Sequence, residues 1–238
     1  MNLCEVTKFL DQFFGSDRFP DDPNGVYRAS DRSVQRLGLA LKPNDQLGHW
    51  VDRLQLDALL LHHPWHIDLE NLPADVGLLA YHLSFDEGLT LGFNPILANG
   101  LHLTALEVLG MKHDRPIGMI GNIPPRTLVD LSEELHHRFA GLELILGQNR
   151  TIARVAVVGA MTEALVREAH DRGAQLYLTG QFRKVAAPTV EETGIAVVAI
   201  GHRRSENWGL KTLAEIVSRQ WPGLQVYKFP DVEPVGLE

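Results

Sequence analysis

The sequence predicts an α/β protein in which mixed or largely parallel sheets are flanked by helices. The main observation is a regular alternation of β-branched runs and helical runs over residues 155–229. A second observation is the solid apolar run over residues 59–61, which is typical of a strand buried on both faces. Strand–helix alternation of this kind indicates parallel strands joined by helices on the faces of the sheet.

Two linked α/β units are expected, over residues 1–110 and 111–238, with the second allowed to interleave with the first. The first unit is expected to contain helices over residues 3–14 and 45–54, strands over residues 36–41 and up to residue 62, and a helix-like run over residues 74–80. A glycine- and proline-rich middle, residues 111–125, holds a short strand over residues 117–120. The second unit then shows helices over residues 127–140, 162–172, 185–193 and 206–219, and strands over residues 155–158, 176–179, 195–200 and 224–229.

Charge and composition exclude several classes of protein. The chain has 238 residues with 22 basic and 30 acidic side chains, and a net charge of −8 argues against bulk nucleic-acid binding. Its single cysteine, Cys4, excludes an internal disulfide and indicates a reducing compartment. Because no apolar run reaches about 18 residues and the amino terminus lacks a signal-peptide layout, we expect no membrane partner and a cytoplasmic location.

The most informative motif is a pair of adjacent histidines, His62-His63-Pro64, at the end of the apolar strand. Neighbouring side chains on a strand point to opposite faces, so the two imidazoles share a site only if the strand ends there, and Pro64 favours such an end. Open α/β sheets place their ligand sites at the carboxyl ends of strands. The alternative is a surface loop with two incidental histidines.

A second segment repeats this pattern around Gly201-His202, where another β-branched strand ends and a helix is expected from about Glu206. Ser205 is a candidate N-cap for that helix. An imidazole and a carboxylate suit zinc, manganese or iron, and the carboxylate is able to bridge two ions. The alternative for Glu206 is a first-turn acid that complements the helix dipole.

A third candidate ligand, Asp86, follows the alternating stretch that begins at Tyr81 and precedes a glycine-containing turn. Taken alone, such an aspartate is more often a turn cap. Four basic residues, Arg183, Lys184, Arg203 and Arg204, could line the mouth of an anion site, although solvated surface charges are the simpler interpretation.

The motifs resemble, in order, those of the type 2 GTP cyclohydrolase homologue family, also called Nif-three-like. They comprise His62-His63, His-x-x-x-Asp from His82 to Asp86, Gly-x-Asn from Gly92 to Asn94, Thr179-Gly180, Gly-His-x-x-x-Glu from Gly201 to Glu206, and the early Pro23-Asn24-Gly25. The resemblance spans nearly the whole chain. It implies the Nif-three-like α/β fold, a homohexameric ring and two divalent metal ions per chain, with zinc, manganese or iron as candidates.

Carried over residue by residue, the resemblance implies that His62, His63, Asp86, His202 and Glu206 are the metal ligands, with Glu206 bridging. Coordination chemistry agrees, because five ligands are more than one tetrahedral zinc ion binds, but they suit two ions about 3.5–4 Å apart. Glu206 and His82 are the candidate catalytic residues, with His82 in an outer position or at the substrate pocket.

Two functions follow from this reading. The first is a metal-dependent hydrolase that acts on a small-molecule substrate, either a nucleotide, as in a GTP cyclohydrolase, or a phosphate ester. The second is a non-catalytic ring-shaped metal-binding or regulatory scaffold that acts through protein partners. No Walker loop, dinucleotide fingerprint or serine triad is evident, which makes a metal-free enzyme the weakest option.

The chain also departs from the family pattern. Gln181 follows Thr-Gly where family members usually carry an acidic residue, and Gly159-Ala160-Met161-Thr162 replaces a glycine-serine-rich turn. The second change weakens the expectation of a backbone anion nest there.

Overall fold

The computed structural model describes residues 1–230 and divides the chain into two compact units. Unit 1 comprises Met1–Phe85 together with the chain from Leu210 onward, and unit 2 comprises Asp86–Gly209. The sequence-based expectation set the boundary between residues 110 and 111, whereas unit 2 begins at Asp86 and the last strand returns to the sheet of unit 1. Residues 231–238, which end the expected second unit, lie outside the described residues.

The described residues form helices and strands that are numbered here in chain order. The helices are α1 (Leu3–Phe14), α2 (Leu47–Leu54), α3 (Leu83–Leu89), α4 (Pro95–Gly100), α5 (Leu128–Phe139), α6 (Glu163–Asp171), α7 (Ala187–Thr193) and α8 (His202–Gln220). The strands are β1 (Asn24–Arg28), β2 (Arg36–Ala40), β3 (Ala58–Leu61), β4 (Gly77–Tyr81), β5 (Thr104–Val108), β6 (Met111–Lys112), β7 (Arg115–Pro116), β8 (Gly118–Thr127), β9 (Leu144–Leu146), β10 (Thr151–Val158), β11 (Leu176–Thr179), β12 (Ala196–Ala199) and β13 (Gln225–Lys228).

Unit 1 is built on a five-stranded mixed sheet in the order β1-β4-β3-β2-β13. Strands β4, β3, β2 and β13 are parallel, and β1 is antiparallel to β4. Every residue of β3 and β4 is buried, as expected for strands covered on both faces. The Asp57 carboxylate accepts the backbone amides of Gln35 and Arg36, each at 2.8 Å, and so anchors the start of β2 beside β3.

Unit 2 contains a six-stranded mixed sheet in the order β5-β8-β10-β11-β12-β9. Its centre, β10, β11 and β12, is parallel, and this confirms the alternation seen in the sequence. Strands β5, β8 and β9 are antiparallel to their neighbours. Two buried apolar clusters pack within the unit, and Leu131, Leu135 and Phe139 of α5 belong to one of them.

The clearest differences from the sequence-based expectations lie in three elements. Residues 74–80 do not form a helix, because the fully buried segment Gly77–Tyr81 pairs with both β1 and β3 as a strand. The strand expected over residues 117–120 extends to Thr127. Its two prolines, Pro124 and Pro125, follow Asn122, which is the last residue of the strand that pairs with β5, and they lie where the register with β10 shifts. Helix α8 begins at His202 rather than near Glu206.

No helix among residues 1–230 is both long enough and apolar enough to cross a membrane.

Candidate metal centre

The histidine pair lies directly after β3, as the sequence predicted. The backbone amide of His62 donates to the Ala40 carbonyl at 3.1 Å, and that of His63 donates to the Leu41 carbonyl at 2.6 Å. His62 is fully buried and His63 is half-buried. Backbone pairing with the β2 side therefore continues just past β3 and holds the main chain of both histidines at the carboxyl edge of the sheet.

A third histidine joins this pair because β4 ends in register with β3. Leu61 of β3 lies opposite Ala80 of β4, which brings His82 to the same edge. The His62 ring centroid lies 4.0 Å from that of His63 and 5.3 Å from that of His82. One nitrogen of each ring lies within 4.8 Å of the others, so unit 1 contributes a group of three imidazole donors, here called the histidine cluster (His62, His63 and His82).

Hydrogen bonds determine which nitrogen two of these rings offer to a ligand. Nδ1 of His62 lies 3.0 Å from the Tyr81 carbonyl oxygen, and Nδ1 of His82 lies 2.8 Å from Oδ1 of Asp22. Because a carbonyl or carboxylate oxygen only accepts, Nδ1 is the donor in both rings. In the neutral ring the lone pair then resides on Nε2, which is the arrangement common to metal-binding histidines.

The residue that sequence reasoning missed is Asp22. Its side chain is only 10% exposed; Oδ2 accepts the Leu83 amide at 2.7 Å while Oδ1 accepts from His82. Asn24 stabilises the turn that carries it, since Nδ2 donates to the Phe19 and Asp22 carbonyls at 3.2 Å each. The resemblance at Pro23-Asn24-Gly25 marked this turn, but 60 residues separate Asp22 from His82.

Tyr81 connects the edge of the sheet to α1. Its phenol donates to Oδ1 of Asp11 at 2.9 Å, and its backbone carbonyl receives the His62 hydrogen bond. Burial raises the pKa of the Tyr81 phenol strongly, and the nearby Asp11 carboxylate raises it further. Tyr81 therefore remains a neutral donor at physiological pH and supports the histidine cluster through packing and its main chain.

Unit 2 contributes a second group, here called the acidic cluster (Asp86, His202 and Glu206). His202 occupies the first turn of α8 and Glu206 lies one turn later, so their side chains share a face, with Nε2 and Oε1 2.9 Å apart. Glu206 is buried whereas the His202 side chain is 69% exposed. Ser205 is inside the helix and its hydroxyl donates to the His202 carbonyl at 2.7 Å, so the expectation that Ser205 is the N-cap is wrong.

Asp86 lies within α3 rather than in a turn after a strand. The amide and hydroxyl of Thr90 donate to its backbone carbonyl at 3.2 and 2.6 Å, which continues the helical pattern. One carboxylate oxygen of Asp86 lies within 4.8 Å of one on Glu206. Two carboxylates this close repel each other, and a bound cation would convert that repulsion into attraction.

The donor chemistry of both clusters fits a borderline divalent metal. Neutral imidazole nitrogens and carboxylate oxygens are the ligands that zinc, manganese and iron share. Each of the five sequence-predicted ligands belongs to one of the two clusters. His82 belongs to the histidine cluster, together with His62 and His63. The histidine cluster is therefore a group that could hold a metal ion, and Asp86 and Glu206 offer two further carboxylates.

An exposed tryptophan lies beside the histidine cluster. The Trp65 ring centroid is 5.4 Å from that of His63 and 4.6 Å from that of His82, and 45% of the residue is exposed. Trp50 by contrast is buried. Of the basic residues considered in the sequence, Arg183 and Lys184 are exposed, and Arg204 lies 4.0 Å from the Glu143 carboxylate.

The mixed α/β fold and the histidine and acidic clusters are those of a potential metal-binding protein. The chain belongs to the Duf34/NIF3 (NGG1p interacting factor 3) family, whose model matches residues 1–233.

Relatives and solved structures extend this result. The chain is 25% identical to a protein of Allochromatium vinosum named GTP cyclohydrolase 1 type 2 homolog, with 92% of each chain covered. A relative of the same name from Neisseria meningitidis serogroup A is 29% identical, with 89% of this chain and 90% of the relative covered. Among solved structures, protein ybgI, described as of unknown function, matches with a TM-score of 0.80 at 22% identity, covering 99% of this chain and 100% of the other. That likeness shows the fold.

Proposed function

We propose that the protein is a dinuclear metal-dependent hydrolase that acts on a nucleotide, in the manner of a GTP cyclohydrolase, or on a phosphate ester. Two divalent ions, of zinc, manganese or iron, would be held by His62, His63, Asp86, His202 and Glu206, with Glu206 bridging. The observation that carries the proposal is the pair of donor clusters, one of imidazoles and one containing two close carboxylates.

The number of ions follows from the number of donors. Five ligands exceed what a tetrahedral zinc site uses, and a shared carboxylate is the usual means of holding two cations side by side. Glu206 suits that role because it is buried and lies near both Asp86 and His202. In this proposal Asp86 and Glu206 supply the negative charge, and the histidines supply neutral nitrogen donors.

A bound pair of divalent ions supplies Lewis-acid activation of water and compensates the negative charge that develops on a phosphate or a purine ring. The residues of the chain position the reactants. The Tyr81 carbonyl and the Asp22 carboxylate orient the rings of His62 and His82, and burial of Glu206 limits access of bulk water to its carboxylate.

Trp65 favours a substrate with a planar ring over a simple phosphate ester. An indole that remains 45% exposed next to His63 and His82 offers a flat apolar surface. Stacking of a base on an aromatic side chain is worth about 1–3 kcal/mol and does not require a specific base edge. A nucleotide is therefore the first substrate class to test.

The proposal is tested by metal analysis of the purified protein, followed by assays with added manganese, zinc or iron against nucleotides and phosphate esters. We expect metal at about two ions per chain and turnover of at least one nucleotide that depends on added metal. Full metal content without turnover of any substrate would overturn the hydrolase and leave a metal-binding scaffold. Absence of metal binding would overturn both.

A further inference from the structure

We propose that Asp22 is a positioning residue for the metal centre, acting through His82 by fixing the tautomer and orientation of that ring. The proposal rests on the metal centre of the proposed function. It also adds His82 to the donors, as an Nε2 ligand rather than an outer residue.

The contacts of Asp22 are specific and shielded from solvent. Oδ1 lies 2.8 Å from Nδ1 of His82, and Oδ2 accepts the Leu83 amide at 2.7 Å. The Asp22 side chain is 10% exposed and the His82 side chain 20% exposed. Both carboxylate oxygens therefore accept from adjacent residues at the end of β4, and the carboxylate is held at two points.

The position of the carboxylate is itself determined by the turn before β1. The Asp22 amide donates to the Phe19 carbonyl at 3.2 Å. Nδ2 of Asn24 closes the turn by donating to the carbonyls of Phe19 and Asp22. The Ser84 hydroxyl donates to Oδ1 of Asn24 at 2.6 Å, which links the turn to the first turn of α3. Asp22 is thus fixed relative to His82 by bonds that do not involve the imidazole.

The hydrogen bond that Oδ1 of Asp22 accepts from His82 determines which ring nitrogen is left to bind a metal. With the proton on Nδ1, a neutral His82 carries its lone pair on Nε2, and the His62 ring shows the same arrangement against the Tyr81 carbonyl. A carboxylate that hydrogen-bonds a metal-binding histidine fixes the ring and raises its basicity, and removing such a partner typically lowers metal affinity by about 10- to 100-fold.

A purely structural role is the competing explanation, because the Leu83 amide lies at the start of α3 and Asp22 caps it. Asp22→Asn separates the two roles. The single carbonyl oxygen of asparagine can still accept the Leu83 amide, because an amide oxygen is a hydrogen-bond acceptor as a carboxylate oxygen is. Its amide group then faces His82, where an N–H donor requires Nδ1 to become an acceptor and moves the ring proton to Nε2.

The experiment measures zinc affinity by competition with a chelator, together with the nitrogen chemical shifts of His82 in metal-free protein. For Asp22→Asn we expect about 10- to 100-fold weaker binding of the ion nearest His82, an unchanged melting temperature, and loss of the Nδ1–H tautomer. Asp21→Asn is the matched control, since Asp21 is exposed and adjacent in sequence, and it should behave as wild type.

A double-mutant cycle with His82→Ala keeps the test decisive if Asp22→Asn lowers stability. Because Asp22 acts through the imidazole, the loss caused by Asp22→Asn should disappear in the His82→Ala background. Wild-type affinity with a retained Nδ1–H tautomer in Asp22→Asn, or an equal loss in both backgrounds, would overturn the role of Asp22 alone. A wild-type protein that binds no zinc, manganese or iron would instead overturn the proposed function on which it rests.

Discussion

At the residue scale, the chemistry of the site depends on small differences in how each donor is held. His62 is fully buried and donates through Nδ1 to a main-chain carbonyl, whereas His202 is largely exposed on the first turn of α8. Buried donors held by the main chain are preorganised, and exposed donors lose side-chain freedom when a ligand binds. The His62 ring should therefore contribute more to metal affinity than the His202 ring.

Glu206 is the residue whose charge matters most in the proposed centre. Glu206→Gln retains the size of the side chain but removes the negative charge near Asp86, so two cations would repel each other more strongly. We expect the second ion to be lost first and metal-dependent turnover to fall by about 100- to 1,000-fold. Metal analysis and steady-state kinetics on the same preparation measure both effects.

Gln181 supplies the control for that charge change. It is exposed, and Gln181→Glu adds a carboxylate at the surface directly after Thr179-Gly180. The Gln181→Glu protein should keep its full metal content. Wild-type stoichiometry and turnover in Glu206→Gln would refute the bridging role.

Trp65 tests the substrate class. Replacing this half-exposed indole with leucine removes the ring face beside His63 and His82. Loss of one base-stacking interaction predicts a KM for GTP that is roughly 5- to 100-fold higher, with KM for inorganic tripolyphosphate unchanged. Trp221→Leu is the control, because that ring packs on Phe9 instead. Equal changes for both substrates in Trp65→Leu would argue against stacking.

Sequence reasoning identified the donor types at this scale but not their partners. The adjacent histidines lie directly after β3, as the sequence predicted. His202 and Glu206 both lie on α8, because that helix begins at His202 rather than near Glu206. Asp22 could not be predicted as the partner of His82, because that contact depends on how the turn before β1 folds back on the end of β4.

At the element scale, the strand register places the donors. Parallel pairing sets Ala40, Leu61 and Ala80 side by side, so the residues that follow β3 and β4 emerge at one edge. The buried apolar run over residues 59–61 predicted β3. The helical prediction for residues 74–80 is wrong, because the apolar part of that segment, from Val76, is too short to show a periodicity that distinguishes a buried strand from a buried helix.

Gly201 tests the link between β12 and α8. Its φ of +105° is unfavourable for any residue with a Cβ, and an added Cβ would lie 2.8 Å from Oε1 of Glu143. Gly201→Ala should therefore destabilise the fold by about 1–3 kcal/mol and weaken metal binding by displacing His202. Thermal unfolding and a metal titration measure the two effects.

Gly223→Ala is the matched control, since nothing lies within 4 Å of a Cβ added there. That variant should unfold near the wild-type temperature. A Gly201→Ala protein as stable as Gly223→Ala would show that the strand-to-helix turn tolerates a side chain and that its glycine does not position His202.

At the scale of the whole molecule, the chain returns to its first sheet after completing the second unit. Strand β13 pairs with β2 in parallel, which the sequence allowed for as interleaving but could not locate. Pairing between residues about 190 positions apart leaves no local signal in the sequence, since it depends on the chain closing a long loop. The alternation of strands and helices predicted the α/β class, whereas the expectation of the Nif-three-like fold came from the resemblance to the family.

The expected assembly is a closed homohexamer, which agrees with the general preference of homo-oligomers for closed symmetry. Multi-angle light scattering should then give about six times the chain mass of 26.5 kDa across micromolar concentrations. A mass equal to one chain throughout that range would contradict the ring, although it would leave the metal proposal intact.

The most direct test of the central claim is the metal content of wild type and of the double variant His62→Ala/His202→Ala, measured by mass spectrometry of the purified proteins. The double variant removes one imidazole from the histidine cluster and one from the acidic cluster. We predict about two divalent ions per wild-type chain, essentially none in the double variant, and matching circular dichroism spectra for the two proteins. A double variant that retains the full wild-type metal complement would show that these donors are not the metal centre.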